Sequence, residues 1–123
     1  MVSVYDGVQA WDDIVQVCAG DAAAVGLKDN GTVVIAGRAP ENVLSWNNIK
    51  EVYITPGNIV FGIQDNGRIE CSYSGDEEYF VNLSAIESWT NIAKIDWIWD
   101  FPTKEVVVFG FKDDGRFVCS RIL

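Results

Sequence analysis

A chain of 123 residues, 49% of them hydrophobic, is long enough to bury the core of one domain, and none of its apolar runs approaches the ~20 residues a membrane-spanning helix needs. Its net charge of −9 argues against a nucleic-acid polymer as partner, because a phosphate backbone is bound by a basic face. Three cysteines without Cys-x-x-Cys spacing, and a start with neither a basic nor a long apolar stretch, point to reduced thiols in a cytoplasmic protein.

Taken in chain order, residues 1–5 and the approach to Trp11 look like the outer strand and linker of a unit whose first part lies elsewhere. Trp11-Asp12-Asp13-Ile14 then opens a unit that runs to Val25-Gly26-Leu27-Lys28-Asp29-Asn30-Gly31. Trp46-Asn47-Asn48-Ile49 opens a second, which reaches Phe61-Gly62-Ile63-Gln64-Asp65-Asn66-Gly67. Trp89-Thr90-Asn91-Ile92 opens a third, which reaches Phe109-Gly110-Phe111-Lys112-Asp113-Asp114-Gly115. Two motifs recurring three times in one order, about 40 residues apart, make this a repeat protein. The repeats span residues 11–45, 46–88 and 89–123 of a single domain.

Each unit predicts strands. A short apolar strand follows the tryptophan, and a second, rich in β-branched and aromatic residues, leads into the Asp-Asn-Gly or Asp-Asp-Gly. There, residues that tolerate positive φ predict a tight primed hairpin. A third strand covers 32–36, 68–71 and 116–119. Residues 41–44 and 79–83 are expected as fourth, outer strands, and residues 1–10 are expected to complete the third unit's sheet. The glycine at 26, 62 and 110 lies inside a strand, where it predicts close approach between units packed face to face.

These motifs resemble the blades of the regulator-of-chromosome-condensation repeat family of β-propellers, most closely over Ala19-Gly20-Asp21 and Val25–Val33 of the first unit. The resemblance covers nearly the whole chain and implies an all-β fold of three four-stranded blades. Family members usually carry seven blades, and the loops of their exchange-factor activity have no match here, so that activity is not implied. Propellers close with about four to eight blades. Three therefore imply a half-propeller completed by oligomerisation, most simply by a homodimer with six. A β-trefoil is the alternative, although the Gln-x-Trp of trefoil lectins does not recur.

The chemistry points away from an enzyme, with no catalytic, metal or cofactor site expected. Histidine, the commonest general base and metal ligand, is absent. Cys71 and Cys119 take the place of Ile35 in the first unit, which suits strand thiols and not nucleophiles. The repeated tryptophans read as packing, so function is sought where repetition fails. Asp96–Lys104 is expected as a long loop holding Trp97, Trp99 and Phe101, with both tryptophans on one face and Ile98 opposite.

Loops at that end of the sheets would gather Asp21, Thr55, Asn58, Arg38, Tyr79 and Arg121 around Trp97, Trp99, Asp100, Phe101 and Lys104. Aromatic plates among polar groups suit a flat, compact ligand. The sequence thus reads as a non-catalytic, oligomeric, propeller-like binding protein that holds a small molecule or protein partner at the loop face or subunit junction. One alternative is a sponge that sequesters a nucleotide-type signal, as phage anti-defence proteins do. The other is a lectin-like carbohydrate binder.

Overall fold

The computed structural model describes residues 6–73 and 80–121. They form nine strands in three separate antiparallel sheets of three, each running in sequence order. The first holds β1 (Ile14–Ala19), β2 (Ala23–Lys28) and β3 (Val33–Gly37). The second holds β4 (Ile49–Thr55), β5 (Ile59–Gln64) and β6 (Ile69–Ser72). The third holds β7 (Ile92–Asp100), β8 (Glu105–Lys112) and β9 (Phe117–Cys119). No helix among the described residues is long and apolar enough to cross a membrane.

The second hairpin of each sheet turns at the repeated Asp-Asn-Gly or Asp-Asp-Gly, with a different geometry from the primed turn expected. In the first unit Gly31 N–H donates to Lys28 C=O, and Lys28 N–H donates to Thr32 C=O. Only the glycine is left-handed, with φ 84° at Gly31 and 82° at Gly67. This is a longer loop closed by a left-handed glycine. The preceding Asn or Asp instead turns its side chain inward, where Asn30, Asn66 and Asp114 accept from the backbone N–H two residues on.

The strand glycine also has a different partner from the one expected. A Cβ on Gly62 would lie 3.0 Å from the Trp46 ring, and one on Gly26 would lie 2.8 Å from Trp11. The glycine makes room for the tryptophan of its own unit, and that ring then joins the packing between units. Asp13, Asn48 and Asn91, third in each Trp-x-x-Ile, have φ of 57°, 59° and 59°. Asp and Asn accept this left-handed backbone more readily than other side chains. The bend aims Asp13 C=O at Asp29 N–H, and Asn48 C=O at Asp65 N–H, at 2.9 Å each.

Between units the same junction occurs twice. Leu27 and Val33 of the first sheet share a buried cluster with Trp46, Ile49 and Val52 of the second. Ile63 and Ile69 of the second share another with Trp89, Ile92 and Ile95 of the third. At each junction the turn glycine accepts from the next unit: Ile49 N–H donates to Gly31 C=O at 3.0 Å, and Ile92 N–H to Gly67 C=O at 2.9 Å. Gln16 adds a two-way amide bridge, donating to Val52 C=O at 2.8 Å and accepting from Val52 N–H at 2.9 Å.

Among the described residues, the outer strands expected at 41–44 and 79–83 are not formed. Glu41–Ser45 is a 3-10 turn against β3, where Val43 is the buried anchor and Ser45 Oγ donates to Asn42 C=O. In the second region Phe80 makes an isolated parallel bridge to Glu105, in the third unit. The short helix α1 (Leu83–Glu87) follows, with Asn82 accepting from Ala85 N–H as its cap. Asn and Ser side chains that bond the nearby backbone favour such turns over a sheet ladder. Residues 1–5, expected to complete the third sheet, lie outside the described residues, and Asp6–Ala10 forms a 3-10 turn against β3.

Candidate functional site

At the end of the sheets opposite the glycine turns, all three units contribute to one cleft of about 260 Å³. Gly20 and Asp21 come from the β1–β2 loop, Thr55 and Pro56 from the end of β4, and Trp97 from β7. The first unit fits closely against the second: a Cβ on Gly20 would lie 2.9 Å from the Ile54 side chain and 3.0 Å from Asn58 Oδ1. Asn58 has a left-handed backbone, φ 56°, and its buried Oδ1 accepts no hydrogen bond among the described residues. Asp21 and Trp97, distant in sequence, are thus brought together, with Thr55 between them.

Trp99 belongs to a second cleft, of about 370 Å³, lined by Trp99, Phe101, Pro102 and Lys104. The Trp99 and Phe101 rings meet edge to face, with centroids 5.3 Å apart and planes at 72°. This is a favoured aromatic geometry. The expected long loop is mostly strand: Trp97, Ile98 and Trp99 pair with Val108, Val107 and Val106, and Asp100 pairs with Glu105. The alternation holds, but Trp97 packs into the core beside the second unit while Trp99 faces outward. The true loop is Phe101–Lys104, and Lys104 has φ 60°.

Arg121 closes that loop. Its guanidinium donates to Asp100, to Glu105 Oε1 at 3.0 Å and to Thr103 Oγ1 at 3.1 Å. The Arg121 partner holds the Asp100 carboxyl below its usual range, and the two carboxylates push the arginine up. Asp100 and Arg121 are therefore brought together as a brace for the loop. Arg38 is exposed and lines neither cleft. Tyr79 lies outside the described residues.

The thiols are half-buried strand residues. Burial pushes the Cys71 thiol up to about 12, with the charges of Glu87 and Glu70 adding to it. Burial also raises Cys18, whose Sγ donates to Val52 C=O at 3.1 Å. A nucleophilic cysteine needs the opposite shift.

Sequence reasoning missed two positions. Gln16, the interunit bridge, has Glu51 and Lys94 as its counterparts, so no repeated residue flagged it. The left-handed Asp13, Asn48 and Asn91 did carry a signal, an Asn or Asp at one place in every repeat. No protein-family model matches the chain, and no curated protein matches it.

Proposed function

We propose that the chain is a non-catalytic, propeller-like binding protein that takes a compact, flat ligand on its loop face and works as a pair of copies. The observation that carries this reading is the convergence of three separate units on one cleft, with Trp97 as an aromatic plate beside Thr55 and the carboxylate of Asp21. Ligand sites are typically apolar clefts with a few convergent polar groups. A planar ring bearing N–H donors, as in a nucleobase, matches a plate next to a carboxylate. That chemistry agrees better with a net charge of −9 than a bare phosphate does. A nucleotide-sequestering role is the specific form of this reading.

Three consecutive three-stranded meanders, joined by packing between sheets, support a blade arrangement over a trefoil barrel, and they support the resemblance to the chromosome-condensation repeats. A second reading, a protein partner docked on the outward aromatic pair, is favoured by Phe101, which is 73% exposed beside Trp99.

A thermal-shift screen against nucleosides, nucleotides and sugars tests the proposal. A ligand at 100 times its Kd stabilises the folded state by about 2.7 kcal/mol. The expected result is a rise in Tm with a nucleobase-bearing compound, lost in Asp21→Ala and Thr55→Val and kept in Trp99→Ala. A shift lost only in Trp99→Ala moves the site to the outer cleft. No shift with any compound overturns the small-molecule reading.

A further inference from the structure

The junction between units occurs twice within the chain, and the described residues expose one unmatched half of it at each end. On the leading face, Leu27 and Val33 are buried by the second unit, and Ile63 and Ile69 by the third. Their counterparts Phe111 and Phe117 are exposed, Phe117 to 63%, and face each other with centroids 6.4 Å apart. On the trailing face, Val52 and Ile95 are buried, while their counterpart Val17 is 55% exposed. Trp46 and Trp89 are buried, and Trp11 is only half-buried.

The backbone repeats the pattern. Gly31 and Gly67 press on Asn48 and Asn91 of the next unit, whereas a Cβ on Gly115 would meet nothing within 4 Å. Gly31 and Gly67 accept from Ile49 and Ile92. Ile14 is the equivalent donor of the first unit, and Gly115 the equivalent acceptor of the third.

We infer that the occupant of both faces is a second copy of this chain, docked head to tail, with the Phe111–Phe117 face of one copy on the Trp11–Val17 face of the other. Gly115 C=O takes the Ile14 N–H of the partner copy, repeating the bond made at the two internal junctions. The polar bridge has its counterpart as well. Gln16 offers Val52 one donor and one acceptor. In the third sheet exposed Lys94 and Asp96 occupy the places of Gln16 and Cys18. An ammonium donor and a carboxylate acceptor divide between them what one amide does inside the chain, and they address the backbone of Val17. A heterologous contact of this kind closes a ring or runs on as a filament. Two chains of three units give six, within the usual four to eight, and three chains exceed it. This rests on the paired-copy part of the proposed function and gives it its interface.

The test is solution mass, by sedimentation or light scattering, for the full chain and for Val17→Arg and Phe117→Arg. Both positions are exposed, and circular dichroism checks that each variant is folded. Val17→Ser and Phe117→Ser serve if an arginine variant is not. Twice the chain mass is expected for the unaltered chain and a single chain mass for each variant. An equimolar mixture of the two variants should regain the doubled mass at higher concentration, because one intact junction remains between a Phe117 face and a Val17 face. A doubled mass that survives in Phe117→Arg alone or in Val17→Arg alone overturns head-to-tail docking and leaves pairing standing. A monomeric unaltered chain overturns the pairing too, while the thermal-shift result still judges the ligand site.

Discussion

Removing the Gln16 side chain tests how the units are held together. Its amide meets both backbone groups of Val52, which is 0% exposed, so no water replaces it. In Gln16→Ala the Val52 carbonyl keeps the Cys18 thiol as a donor at 3.1 Å, but its N–H is left buried and unpaired. An orphaned buried donor costs about 1–3 kcal/mol. With an unfolding entropy of ~2.1 cal/mol/K per residue, a chain of this length has roughly 0.26 kcal/mol/K, so Tm should fall by about 4–12 °C. Gln16→Glu keeps the acceptor for the N–H but sets a carboxylate against the carbonyl, and it should recover stability as the pH is lowered and the acid protonates to a donor. The assay is thermal and urea unfolding at fixed protein concentration, with hydrogen exchange at the Val52 amide as the local readout. A Gln16→Ala change within about 0.5 kcal/mol, the range of ordinary surface substitutions, would refute the bridge as a structural tie.

Gly62→Ala places a methyl 3.0 Å from the Trp46 ring and 3.1 Å from Ile49. Overpacking of this kind costs about 1–3 kcal/mol, and denaturant unfolding together with altered tryptophan fluorescence checks it. Alkaline stability follows from Cys71 and Tyr53, both raised chiefly by burial. A raised folded value means stability that is complete below the ordinary thiol value and is lost as pH rises through the folded one. Between pH 9 and about 12 Cys71 alone should therefore remove about 1.4 kcal/mol per pH unit, with Cys71→Val flattening that slope in urea titrations. Asp100 is depressed by Arg121, so its contribution is present above the ordinary carboxylate range and is lost as pH falls through it. Arg121→Gln should destabilise most near neutrality, and its gap from the unaltered chain should close in acid unfolding curves.

The repeat, the three-strand meander of each unit and the hairpin glycines were legible because each rests on local chemistry. An Asp-Asn-Gly bends the chain whatever surrounds it, and β-branched runs such as Val106-Val107-Val108 pair wherever a partner strand is near. What the tryptophans touch was not legible in the same way. Spacing puts Trp46 before Gly62 in every repeat but does not say that the ring folds back onto its own glycine. The left-handed Asn48 between them decides that. The outer segments misled because Glu41-Asn42-Val43-Leu44 mixes polar and apolar residues as a strand does, while Ser45 Oγ bonds back to the Asn42 C=O and the Asn42 side chain accepts from Ser72 of the second sheet. In the site, Trp97 and Trp99 lie two residues apart on β7, Trp97 partly buried against the core and Trp99 exposed. Their separation into two clefts depends on how far β7 extends past its neighbours, a length set by pairing with β8 that no single residue announces.

The two internal junctions load the sheets unequally. Within one copy, and among the described residues, the middle sheet is packed by neighbours on both sides and each flanking sheet by a neighbour on one. In a linear array of this kind stability is close to a sum of unit terms and nearest-neighbour terms, so the middle unit collects two couplings and each end unit one. In the Val17→Arg and Phe117→Arg variants, where the copies are separated, amide protons of β5 should then exchange last, and those of β1 and β9 first, through openings that start at the ends and stop at the centre. The loop-face cleft spans that gradient: Thr55 and Pro56 stand on the slow-opening unit, while Asp21 and Trp97 stand on units that open sooner. A ligand bridging the cleft would lend the end units a share of the middle one's cooperativity, and exchange protection would spread outward from the centre.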